Sequence, residues 1–157
     1  QNCKGDRKLQ FRLPVRAVFS TDFGSIESHG GSAHPNINFD MNNIGPGGGW
    51  NFGMAAGPLY ATERLHDYYY EVAPLYATGT RPAYDARAGY SGSRVTLALS
   101  KRFQRLWFGA FARYDTLAGA TFEDSPLVRR DRAFMAGFGV AWIFAESGQL
   151  VDVEVKE

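Results

Sequence analysis

Three histidines, His29, His34 and His66, are the side chains best suited to hold a transition metal. No two of them stand at the i, i+4 spacing that puts imidazoles on one helix face, and no cysteine joins them. They read as solvated loop residues. Serine, histidine and aspartate are numerous enough for a hydrolase triad, yet nowhere does a Gly-x-Ser-x-Gly turn present a nucleophile. Gly45 to Gly49 looks like a phosphate-cradling loop, but no Lys-Ser/Thr pair follows it, so it reads as a flexible turn. No catalytic, metal or cofactor site is implied. The chemistry that remains is electrostatic. Arg12, Arg16, Arg94 and Arg113, with Asp40 and Glu71, stand among small and polar residues, and inside a narrow interior they must neutralise one another.

The 157 residues suffice for one domain. Seventeen Lys and Arg against sixteen Asp and Glu leave a charge of +1, which provides no field to gather nucleic acid. Aromatics reach 15% and glycine occurs 18 times, a mixture that suits strands and turns. Cys3 is the only cysteine, so a disulfide-built secreted domain is excluded. No run of eighteen apolar residues exists for a membrane helix. A spanning strand, however, needs only about ten residues of alternating hydrophobicity.

Such alternation recurs. Leu9, Leu13, Val15, Ala17 and Phe19 fall on every second position, as do Ile37, Phe39 and Met41, then Trp50, Phe52, Met54 and Ala56. Tyr68 to Pro74 is a weaker, aromatic-rich candidate. Arg94 to Ser100, Leu106 to Tyr114 and Phe134 to Phe144 follow, the last alternating most cleanly. The expected fold is all-β, an antiparallel up-and-down transmembrane β-barrel over residues 1–144 with a polar tail over 145–157. About seven strands are visible, an odd number. Bacterial barrels use even counts and must close, so strands upstream are expected and the chain reads as part of a barrel of about 10–12 strands.

Alternation alone also fits a soluble sandwich, so the second face matters. It carries Arg12, Arg16, Asp40, Glu71, Arg94 and Arg113 amid Asn, Gly, Ala and Ser, as a polar lumen would. Phe19, Trp50, Tyr68, Tyr114, Trp142 and Phe144 stand at strand ends, where aromatic girdles meet lipid headgroups. If Phe144 ends the last strand on the periplasmic side, the long connections Leu75 to Gly92 and Asp115 to Arg132 fall outside. The short turn Lys101 to Arg105 then falls inside. On the same scheme Thr21 to Ser32 is too long for a periplasmic turn. Arg129, Arg130 and Arg132, near the outer rim, are candidates for contact with lipopolysaccharide phosphates.

Several blocks resemble the MipA/OmpV family of outer-membrane proteins. They are His66-Asp67-Tyr68-Tyr69-Tyr70 with Val72-Ala73-Pro74, Arg81-Pro82-Ala83-Tyr84-Asp85, and Gly89-Tyr90. Further on come Arg113-Tyr114, Leu117-Ala118-Gly119-Ala120, Phe122-Glu123-Asp124-Ser125-Pro126-Leu127-Val128, and the terminal Trp142-Ile143-Phe144. Tyr84, Asp85, Asp124, Ser125 and Pro126 lie in the two long outer loops, where packing over the barrel mouth is the favoured role. The resemblance implies a non-enzymatic scaffold in the outer membrane of a Gram-negative bacterium, holding a murein-cleaving lytic transglycosylase near a murein synthase. The alternatives are an outer-membrane barrel enzyme, an adhesin, and a soluble lipocalin-like barrel. Family members are typically longer at the N-terminus, and the thirteen residues beyond Phe144 depart from barrels that stop at the terminal aromatic.

Overall fold

The computed structural model describes residues 6–145. The tail expected over 145–157 therefore lies, apart from Ala145, outside the described residues. Eight strands form one antiparallel sheet: β1 (Arg7–Arg12), β2 (Val15–Thr21), β3 (Ile26–Ala33), β4 (Asn36–Ile44), β5 (Trp50–Ala61), β6 (Gly89–Phe103), β7 (Leu106–Thr116) and β8 (Arg132–Trp142). Between β5 and β6 lie one helix, α1 (Glu63–Tyr70), and a single 3-10 turn, Pro74–Tyr76.

Two prolines account for the gap between eight segments and the number of passes the chain makes. Pro14 separates β1 from β2, and Pro35 separates β3 from β4. Proline has no N–H for the ladder, so each is a break in one long strand. The breaks face each other: Arg12 pairs with Asn36 below them and Val15 with Ala33 above, while the His34 amide still donates to the Pro14 carbonyl at 3.0 Å. Counted as passes, β1–β2, β3–β4, β5, β6, β7 and β8 make an up-and-down meander of six. That number is even, so parity carries no argument for a strand outside the chain. Among the described residues β1 and β8 are the outer edges of the path, and the sheet does not close.

Pro58, within β5, sits where the neighbouring run is itself interrupted, since Ala33 pairs with Tyr60 and Ile37 with Ala56. On its other side it stays in register with Ser93 of β6. Gly57 beside it lets the chains touch, because a Cβ there would overlap the Pro35 carbonyl.

The segment Tyr68 to Pro74 is not a strand. Tyr68, Tyr69 and Tyr70 finish α1, and only Val72 makes a β-bridge, to Tyr84. Three aromatics in a row fit a period of 2 or of 3.6 equally, and the signals for the helix lie upstream. Glu63 favours the first turn, and Leu65 and His66 are its buried residues. A helix of eight residues is marginal alone. Thr62 at its N-cap does not cap it; the hydroxyl accepts from the Gly31 amide at 3.0 Å and ties the helix to β3.

Removing that strand resolves the misplaced connection. With six passes, the tip between β2 and β3, the segment 62–88 and the segment 117–131 gather at one end. The turns 45–49 and 104–105 lie at the other, with the end of β8. Thr21 to Ser32 is no loop at all: its ladder continues to Thr21–Ile26, and Asp22 closes the tip by accepting from Ser25 at 2.9 Å.

Cross-strand register assigns the faces. Met54, Leu97, Ala112 and Ala136 align in one row, Phe52, Leu99, Ala110 and Phe138 in the next, and Leu9, Phe11, Ile37 and Phe39 extend the same face. This face is exposed; Phe138 keeps 81% of its surface. Strand residues contribute nothing to the buried apolar set, which is Leu65, Val72, Ala86, Ala120 and Phe122, all in the two long segments at one end. A soluble barrel encloses its apolar side chains; this sheet turns them out. The opposite face bears Gln10, Asn36, Asn38, Asp40, Thr96 and Ser100, with rings laid over glycines: Trp107 over Gly109 and Phe111 over Gly137.

Candidate functional site

Among the described residues, the polar face holds the ion pairs of highest burial. Arg94 on β6 and Asp115 on β7 are directly opposed, and Arg113 precedes Asp115 by two residues, which puts all three on one face. Arg94 Nε donates to Asp115 Oδ1 at 2.5 Å and Arg113 Nε to Oδ2 at 2.7 Å. The three side chains keep only 20–34% of their surface, so the shared carboxylate is a neutralising centre for both guanidiniums.

Arg94 and Arg113 are thus brought together, but through Asp115, a residue the sequence placed in a loop. The i, i+2 spacing of Arg113 and Asp115 was visible; the strand was expected to stop at Tyr114, two residues before its end at Thr116. Asp40 lies on the same face lower down, opposite Lys8 and Gly53. Arg12 bonds Gln10 at 2.8 Å, and Arg16 stands opposite Ser32 above the proline break. Glu71 lies just past α1, exposed and off the sheet.

Over this end of the polar face sits a cap made of the two long segments. Phe122 is its centre, stacked on Tyr70 at 3.8 Å and met edge-on by His66 at 4.6 Å. The Ser125 hydroxyl donates to the Tyr70 carbonyl at 2.8 Å, and Tyr84 OH donates to the Thr121 carbonyl at 3.2 Å. Tyr84 and Ser125 therefore fasten one segment to the other; Asp85 and Asp124 are exposed, and Pro126 is half-buried. His66 is no solvated loop residue. It is 2% exposed, with Nδ1 2.5 Å from the Arg87 carbonyl and Nε2 2.7 Å from the Ser91 hydroxyl. A carbonyl only accepts, so Nδ1 carries a proton. Its place in a helix turn, invisible once the segment was taken as a strand, is what buries it.

Burial pushes the Tyr70 hydroxyl above its usual 10.0, aided by neighbouring Tyr69; burial, then Asp124, does the same to Tyr84. A tyrosine held protonated in the folded cap but free to ionise once released stabilises the cap fully below pH 10. That contribution is lost as pH rises through the folded values. Limited proteolysis of segments 62–88 and 117–131 will accelerate above about pH 10, and Tyr84→Phe will blunt the rise.

The aromatic positions separate into two levels. Trp50 and Trp142 stand at the end of the short turns, with exposed Phe144 just beyond, and Lys101 Nζ sits 5.2 Å over the Trp50 ring. Tyr114 lies near the other end of β7, aligned with Val95 and Phe134. Tyr68 belongs to neither level: it is on α1 in the cap, 4.1 Å from the His29 ring. Phe19 is in the hairpin above the proline breaks. Arg129 and Arg130 are exposed in the second long segment, and Arg132, at the start of β8, meets Asp131 at 3.4 Å.

An up-and-down antiparallel sheet with apolar residues outward, a polar opposite face and its long connections gathered at one end defines the class: a β-sheet protein built on the transmembrane-barrel pattern. Within that class the chain belongs to the family described as MltA-interacting protein MipA, whose family model matches residues 4–144. Comparison with curated proteins and with solved structures finds no match.

Proposed function

We propose that this chain is a barrel wall of the outer membrane of a Gram-negative bacterium that serves as a scaffold and performs no reaction itself. Its partners on this reading are a murein lytic transglycosylase and, through it, a murein synthase. The observation that carries the reading is family membership over residues 4–144, since the family's description names interaction with MltA. The exposed apolar face supports the membrane setting, because leaving such a surface in water is costly.

On this reading the turns 45–49 and 104–105 face the periplasm and the cap faces outward. The enzyme partner then docks at the turn end. At the other end Arg129, Arg130 and Arg132 contact lipopolysaccharide phosphates. The test is a pull-down with the detergent-solubilised full-length protein against purified periplasmic lytic transglycosylase. Retention of the enzyme, diminished when the turn Gly45 to Gly49 is replaced, is expected. Failure to retain it under conditions where the bait is folded overturns the scaffold reading.

A further inference from the structure

Between the cap and the polar face lies a cavity of about 420 Å³. Its charged lining residues are Arg94, Arg113 and Asp115, and the aromatic part of its wall includes Tyr69, Tyr70 and Phe122. Two guanidiniums share one carboxylate, and both carboxylate oxygens are engaged, at 2.5 Å and 2.7 Å. The lining therefore carries one positive charge in excess, on side chains largely withdrawn from water. Such an excess favours a monoanion, the more so beside the buried ring of Phe122. Each arginine meets Asp115 through Nε, and a guanidinium has five N–H donors in a planar fork, a geometry that pairs with a carboxylate in bidentate fashion. The volume falls within the range of small-molecule sites, which are apolar cavities with a few placed polar groups.

We propose that this cavity binds a small organic anion carrying one carboxylate and one planar ring. The carboxylate is held by Arg94 and Arg113, and the ring lies against the tyrosine wall. His66 is not a ligand group, because both ring nitrogens are already engaged by Arg87 and Ser91. The proposal is independent of the scaffold reading, since it concerns the cap end and not the turn end.

Calorimetric titration of the full chain in detergent micelles with benzoate, benzamide and benzamidine tests it. Benzoate is expected to bind with a dissociation constant below about 1 mM, and the neutral and cationic isosteres to bind at least about ten-fold more weakly. Arg113→Gln should weaken benzoate about ten-fold or more, whereas Asp115→Asn, which removes the competing carboxylate, should leave it as tight or tighter. Heat-modifiable migration verifies that each variant is folded, and Arg94→Gln reads the same interaction if Arg113→Gln fails that check. Absence of benzoate binding, equal binding of benzamidine, or unchanged benzoate affinity in the folded arginine variant overturns the proposal.

Discussion

Leu97→Arg and Phe138→Arg, together, will prevent stable insertion of the sheet into lipid while leaving a water-soluble sheet unharmed. Both residues lie mid-strand on the apolar face, in adjacent rows with Met54 and Phe52. Leu97 keeps 39% of its surface and Phe138 81%, so neither is a core residue whose removal opens a cavity. In a soluble protein an arginine at such a site shifts stability by a few tenths of a kcal/mol. At the bilayer midplane each costs about 2–4 kcal/mol on the lipid face of a barrel, and the pair is far enough apart to approach additivity. Folding into vesicles, followed by heat-modifiable migration, measures this. Wild-type yield in the double variant would overturn the outward assignment of that face.

Phe122→Ala will release the cap without unfolding the sheet. Phe122 is 1% exposed and is the largest fully buried side chain among the described residues. Truncating a buried phenylalanine costs about 3–5 kcal/mol, a large share of the roughly 5–15 kcal/mol that holds a domain together. The loss falls locally, because the ring touches Tyr70 and His66 within the cap while the strand ladders run independently. Protease sites in segments 62–88 and 117–131 should become accessible under conditions where migration of the folded protein in the gel is unchanged. Simultaneous loss of heat-modifiable migration would show instead that the cap is needed to fold the wall.

Period-two alternation located β5, β6, β7 and β8 because none of them buries an apolar side chain and each sets apolar residues on one face against small and polar ones on the other, which imposes the pattern residue by residue. It extended too far at Tyr68 to Pro74, where consecutive tyrosines satisfy either period. The helix there depends on contacts with Phe122, 52 residues further on, that no local window contains. The same limit hid Asp115. Its partner Arg94 is 21 residues away and became its neighbour only through the β6–β7 register. Trp50, Tyr114 and Trp142 lie at or near strand ends as the alternation predicted, whereas Tyr68 lies on α1 and not on a strand.

The facing prolines, Pro14 and Pro35, have a consequence for how the surface of this protein can vary. Below them the register is set by the pairs from Arg7–Met41 to Arg12–Asn36; above them a separate ladder runs from Val15–Ala33 to Thr21–Ile26. Since side-chain facing reverses with every one-residue slip, an insertion in an unbroken hairpin would move its apolar residues to the polar face along its whole length. Here the breaks separate the hairpin's ladder from the one below, and the hairpin itself carries an irregularity between Ala17 and Phe19. A change of length within residues 18–25, beyond the contacts of His29 with Tyr68 and of Gly31 to Ala33 with β5 and Thr62, can therefore be taken up at the tip while the sheet below the prolines keeps its register.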